Sequence, residues 1–102
     1  RRGVAAEVTF SGEARSDLFS IYLWVEAAAG EAVAAAYHAR LRAACLALAN
    51  FPGRGTPRPD LGPDVRSISF ERRAVIAYLE RPGTVEILAI AHRGRDLGQE
   101  MG

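Results

Sequence analysis

All thirteen basic side chains of this 102-residue chain are arginines, and lysine is absent. The two residues are not interchangeable. A guanidinium is a planar fork of donors that suits carboxylates, phosphates and protein interfaces. Arg54 and Arg58 lie in a proline- and glycine-rich stretch, Arg66 opens a strand-like run, and Arg93 and Arg95 follow the last such run. Pro52, Pro57, Pro59 and Pro63 would stiffen the first of these segments, so it could present Arg54 and Arg58 to a partner at low entropic cost. The plainer alternative is an ordinary surface loop. For Arg66, Arg93 and Arg95 the plainer alternative is a solvated strand end, or a surface pair with Asp64 or Asp96 worth about 0–1 kcal/mol. His38 and His92 each stand without a companion that would make a general base or a metal ligand, so structural or solvent-facing roles are expected. Cys45 falls on an apolar helix face with no activating neighbour and reads as core. No metal site and no cofactor is expected.

The elements that must position these residues follow from periodicity. Glu7 to Phe10 alternates and predicts a short strand. Ser11 is placed to cap a helix, with Glu13 at its positive end. Ala14, Leu18, Ile21, Tyr22, Val25 and Ala29 then share one helical face. Gly30 breaks the pattern. A second helix carries Val33, Ala36, Tyr37, Leu41, Ala44, Cys45, Leu48 and Phe51, and stops at Asn50-Phe51-Pro52-Gly53. So short a connection predicts an antiparallel helical hairpin. Residues 52–63 read as a loop long enough to suggest function. Arg66–Phe70, Ala74–Leu79 and Val85–His92 read as three strands, joined at Glu71-Arg72 and at Arg81-Pro82-Gly83-Thr84. The expected class is α+β in the order β-α-α-β-β-β, a helical hairpin packed on a small antiparallel sheet.

The first helix carries a second apolar set, Phe19, Leu23, Trp24 and Ala27, off its main stripe. Either it forms a groove for a partner's amphipathic segment, or the helix is sandwiched between the sheet and the second helix.

Composition sets the limits. The length fits a single domain over residues 1–102, burying roughly 60–65% of its unfolded surface. A formal net charge of +1 excludes a strongly basic DNA-coating protein. One cysteine excludes an internal disulfide framework and fits a reducing compartment. No apolar stretch reaches the roughly 20 residues of a membrane span, and no export signal is visible. A cytoplasmic location is expected.

Several segments follow one another in a specific order. Val8-Thr9-Phe10 runs into Glu13-Ala14-Arg15-Ser16-Asp17-Leu18, then come Ala36-Tyr37 and Leu41, then Leu48-Ala49-Asn50-Phe51-Pro52-Gly53-Arg54-Gly55. Arg66, Val75-Ile76-Ala77-Tyr78 and Ile87-Leu88-Ala89-Ile90-Ala91-His92-Arg93-Gly94-Arg95-Asp96 complete the series. With these segments in this order, the chain as a whole resembles the ParE/RelE superfamily of toxins from bacterial type II toxin–antitoxin systems, and within it the ParE branch. The resemblance implies the fold already read from periodicity. It also implies two possible activities. RelE-like toxins cut mRNA on the ribosome, and ParE-like toxins poison DNA gyrase by binding rather than catalysis.

Metal-free RNA cleavage needs an activated 2′-OH, a protonated leaving oxygen and stabilised charge at the phosphate. RelE-like toxins supply these with basic residues on the sheet and usually a C-terminal tyrosine. Arg66 and Arg95 match two of the basic positions and would be the catalytic residues of an mRNA endonuclease. The other two positions hold Ile68 and Val75, and no tyrosine lies beyond Tyr78. The expectation is therefore a non-catalytic gyrase inhibitor, with Arg54, Arg58, Arg66, Arg93 and Arg95 as target contacts. Phe19, Leu23 and Trp24 would meet a cognate antitoxin, and no sequence-specific nucleic-acid binding is expected. A degraded toxin that only binds its antitoxin is a third possibility.

Overall fold

The computed structural model describes residues 6–92, and Arg93 and Arg95 lie outside them. Strand β1 (Glu7–Phe10) leads into helix α1 (Gly12–Ala29) and helix α2 (Glu31–Ala47). A single 3-10 turn (Pro52–Arg54) and a two-residue strand β2 (Thr56–Pro57) occupy the region expected to be loop. Strands β3 (Val65–Phe70), β4 (Ala74–Arg81) and β5 (Thr84–His92) follow. The sheet has five strands in the order β1-β5-β4-β3-β2.

The α+β class and the helical hairpin stand as expected, but the sheet is mixed rather than antiparallel. β1 pairs in parallel with β5, while the other three pairings are antiparallel. The reason is topological. The hairpin of helices carries the chain from β1 at one edge to β2 at the other, and after two antiparallel reversals β5 runs in the direction of β3, which is also that of β1.

Ser11 starts α1 as its sequence position predicts. Its Oγ accepts from the Ala14 amide at 3.0 Å and donates to the Leu88 carbonyl at 2.8 Å. Gly30 alone separates the helices, at φ 96° and ψ 166°, outside the range a side chain tolerates easily. The rings of Tyr22 and His38, equally far on either side of Gly30, meet edge to face at 6.0 Å, which fixes the helices as antiparallel.

The core lies between the helical hairpin and one face of the sheet. Ala14, Leu18 and Ile21 from α1 meet Tyr37, Leu41 and Cys45 from α2, with Leu48 beyond its end. Ala74, Ile76, Tyr78, Val85, Ile87 and Ile90 supply the sheet side. In α2 the buried stripe runs Ala34, Tyr37, Leu41 and Cys45. Val33 and Phe51, expected on it, are exposed. Val33 lies one position off the stripe, and Phe51 lies past the end of α2, where the 3.6-residue period no longer applies.

Tyr78 holds the long loop to this core. Its side chain is fully buried on β4, yet its hydroxyl donates to the Pro52 carbonyl at 2.6 Å and accepts from the Gly55 amide at 2.9 Å. Burial pushes this phenol above its ordinary pKa. Gly55 has no room for a side chain. A Cβ there would sit 2.5 Å from the Tyr78 hydroxyl and 2.9 Å from the Ser67 carbonyl. Tyr78→Phe strips the buried Gly55 amide of its acceptor and is expected to cost about 1–3 kcal/mol. Gly55→Ala breaks the same contact from the other side, so the two losses should be less than additive in the double variant. Urea unfolding checks both: the midpoints fall while the m-value stays constant.

Candidate functional site

Two surfaces carry the residues singled out by the sequence, and the structure adds a third. The first is the loop after α2. Arg66 points into it from β3, where it pairs with Tyr78 on β4. Its Nη1 donates to the Gly55 carbonyl at 2.7 Å and to the Gly53 carbonyl at 3.2 Å, and its Nε lies 3.5 Å from Glu80. Arg58 is engaged as well. It forms a two-pronged pair with Asp60 at 2.8 and 2.9 Å and donates to the Ser67 hydroxyl at 3.3 Å. That guanidinium holds the Asp60 carboxyl below its ordinary range. Arg66 and Arg58 thus tie the loop down, and Asp64 is not the acid that Arg66 uses. Arg54 is exposed and shares a shallow hollow with Gly53 and Phe51, whose ring is 68% exposed. An aromatic ring beside a guanidinium is a composition favoured in protein interfaces.

The second surface is the outer side of α1. Phe19 is 63% exposed and Leu23 45%. The sandwiched-helix alternative therefore fails for these two, since α1 buries only one side. Trp24 behaves differently. Its ring packs at 4.9 Å on His92, and it lines a hollow of about 320 Å³ with Val25, Val33, Tyr37, Arg40 and Arg73 among its walls. Tyr37 is buried there between Phe70, His92 and the Arg40 guanidinium, with no hydrogen-bond partner for its hydroxyl. Burial raises its pKa. The structure places His92 in this aromatic cluster, and His38 beside Tyr22. Cys45 is fully buried, and burial pushes its thiol up to about 12, so it is inert core as expected.

The third surface was not singled out by sequence reasoning. It is the β3–β4 turn. The Arg73 amide donates to the Phe70 carbonyl at 3.0 Å, and the two central residues, Glu71 and Arg72, have φ of 50° and 61°. Positive φ at both central positions marks a type I′ hairpin turn, which normally takes Asn-Gly. Each side chain forced into this region costs about 1–2 kcal/mol. A bidentate pair from Arg40 on α2 to the Glu71 carboxylate, at 2.8 and 3.0 Å, holds the turn in place and keeps that carboxyl below its ordinary range. The consecutive acidic and basic residues between two strands were the only signal in the sequence.

Ile68 and Val75, the apolar residues at the nuclease positions, do not form a pair. Ile68 lies opposite Ile76 and is partly buried against the core. Val75 lies opposite Ser69, on the other face of the sheet. Successive strand residues alternate faces, and Ile76 and Val75 are successive. Among the described residues no group of three or more His, Cys, Asp or Glu could hold a metal ion. No helix of the described residues is long and apolar enough to cross a membrane.

Comparison with known proteins places this geometry in a family. A search of curated protein sequences returned no match. Among solved structures, the chain is similar to one from the chromosomal ParDE toxin–antitoxin system of P. aeruginosa, with a TM-score of 0.75 and 21% identity over 86% of this chain and 96% of that one. It is also similar to one from the toxin–antitoxin complex RelBE2 of Mycobacterium tuberculosis, with a TM-score of 0.64 and 24% identity over 90% of this chain and 95% of that one. These likenesses establish the shared fold. The family model for the ParE toxin of type II toxin–antitoxin systems, parDE, matches residues 8–97. On that match the chain belongs to the ParE toxin family.

Proposed function

We propose that this toxin arrests growth by binding DNA gyrase and blocking its topoisomerase cycle, without catalysis of its own, and that a cognate antitoxin neutralises it. The observation that carries the reading is the ParE family match together with the residues at the nuclease positions. Ile68 is apolar and turned to the core, Val75 is apolar, and Arg66 spends its guanidinium on loop carbonyls. A phosphate at the transition state of RNA cleavage would find no preorganised charge from these three.

The loop surface suits the target. Arg54 and Phe51 project from a loop that Tyr78, Arg66 and Arg58 hold rigid, so little ordering remains to be done on binding. Arg66 and Arg58 then act by positioning Arg54. Arg93 and Arg95 remain proposed target contacts outside the described residues. The antitoxin surface is the exposed strip of Phe19 and Leu23, with Trp24 at its edge. An amphipathic segment laid along α1 would cover this strip.

Purified toxin at stoichiometric excess is expected to inhibit gyrase supercoiling. Arg54→Ala with Phe51→Ala should weaken that inhibition by about tenfold or more, the loss typical of two anchor residues. Unchanged supercoiling, with ribosome-bound mRNA cut instead, would overturn the reading. For the antitoxin, Phe19→Asp and Leu23→Asp should each raise the Kd by about tenfold to a hundredfold in calorimetric titration. Because both side chains are exposed, their thermal midpoints should stay near that of the parent chain.

A further inference from the structure

We propose that the β3–β4 turn is a phosphate-binding site that takes the backbone of a nucleic acid through Arg72 and Arg73, independently of base sequence. The proposal does not depend on gyrase being the target.

Three observations carry it. The first is uncompensated charge. Glu71 is the acid nearest in sequence to both arginines, and its two carboxylate oxygens are taken by Arg40. Among the described residues the ion pairs are Arg40–Glu71, Arg58–Asp60 and Arg66–Glu80, so neither Arg72 nor Arg73 forms one, and Arg73 acts on Glu71 only at longer range. This contrasts with Arg58 and Arg66, which are consumed internally. The second is shape. Arg72 and Arg73 line one hollow of about 370 Å³ with Ser69, Val75, Ala91 and His92, at the turn end of the sheet, where Ser69 and Val75 supply the face away from the helices. The Ser69 hydroxyl adds a neutral donor of the kind that accompanies arginine at phosphates.

The third is retained strain. Glycine would relieve the backbone at Arg72, where φ is 61°, and the chain keeps a charged side chain there. The Arg40–Glu71 clasp fixes the turn that carries Arg72 and Arg73, both exposed. Strain held by a dedicated clasp, next to unpaired charge, is what a preorganised binding site requires. The ligand chemistry is a phosphodiester backbone rather than a base. Phosphate contacts position a protein without reading sequence, and the one aromatic residue lining this hollow, His92, is buried and offers no exposed face on which a base could stack. With a net charge of only +1 the contact should be weak and strongly salt-dependent.

The test titrates the full chain into a short labelled duplex DNA and, separately, into a labelled single-stranded RNA of equal length, following fluorescence anisotropy across a salt series. Binding to either at low salt is expected, and the two arms identify which nucleic acid supplies the phosphate. Arg72→Ala and Arg73→Ala should each weaken binding by about tenfold. Together they should reduce the slope of log K against log salt by about 2. Arg81→Ala removes the same charge at the opposite end of β4 and should leave both values unchanged. Arg72→Gly separates function from folding: it should raise the unfolding midpoint while still weakening binding. Equal losses in the Arg72 and Arg81 variants would reduce the effect to net charge and overturn the proposal. So would Arg72→Gly binding as tightly as the parent, or the turn variants weakening only the antitoxin complex with no nucleic acid bound.

Discussion

The phenolic oxygen of Tyr78 joins the hydrophobic core to the loop after α2, and the placement of that loop follows from it. A tyrosine on a central strand, fully buried, must find partners for its hydroxyl or forfeit the free energy of desolvating it. Here the partners are the Pro52 carbonyl and the Gly55 amide. The ring anchors one end in the core, and the hydroxyl fixes where the chain leaves α2 and turns toward β2. Gly55 is required because the same oxygen stands where its Cβ would be. Arg66, opposite Tyr78 in the sheet, then reaches the Gly53 and Gly55 carbonyls beside it. The loop is thus held by its backbone, leaving the side chains of Phe51 and Arg54 outward.

A second constraint sets the first helix. β1 reaches only to Phe10, opposite Ile87, so the edge of β5 beyond that point needs other partners. The Ser11 amide donates to the Ile87 carbonyl, the Ser11 hydroxyl to the Leu88 carbonyl, and the Asp17 carboxylate accepts from the Ile90 amide. The break in register between β4 and β5 falls at the same place, between Ala77 and Tyr78. Helix α1 is therefore docked by its polar N-terminal side chains as well as by its apolar stripe. That docking leaves Phe19 and Leu23 exposed outside the core rather than on a second buried face.

The arginines show how little residue type says about role. Arg58 and Arg66 have acids and carbonyls within reach and serve the loop. Arg40 serves the β3–β4 turn through Glu71. Arg54, Arg72 and Arg73 carry the same group and form no ion pair among the described residues. The absence of lysine matters in this setting, because the two-pronged pairs made by Arg40 and Arg58 need a planar fork that an ammonium does not provide.

Local chemistry was legible in the sequence wherever it acts over a few residues. The Ser11 cap, the break at Gly30, the Glu71-Arg72 turn, the strand alternation and the order of elements other than β2 follow from spacing and backbone preference. The order and spacing of its segments also carried the family resemblance. The tertiary structure decided whatever depends on partners distant in the chain. It decided that β1 joins β5 in parallel, that Ile68 and Val75 face opposite sides, and that Phe51 is exposed rather than core. It also decided which guanidiniums are spent and which are available. Periodicity reports one element's own geometry, whereas a hydrogen bond such as Tyr78 to Pro52 or Arg40 to Glu71 exists only once packing has brought two separate elements together. Composition offered arginines alone, and packing made loop ties of Arg58 and Arg66 and a turn clasp of Arg40.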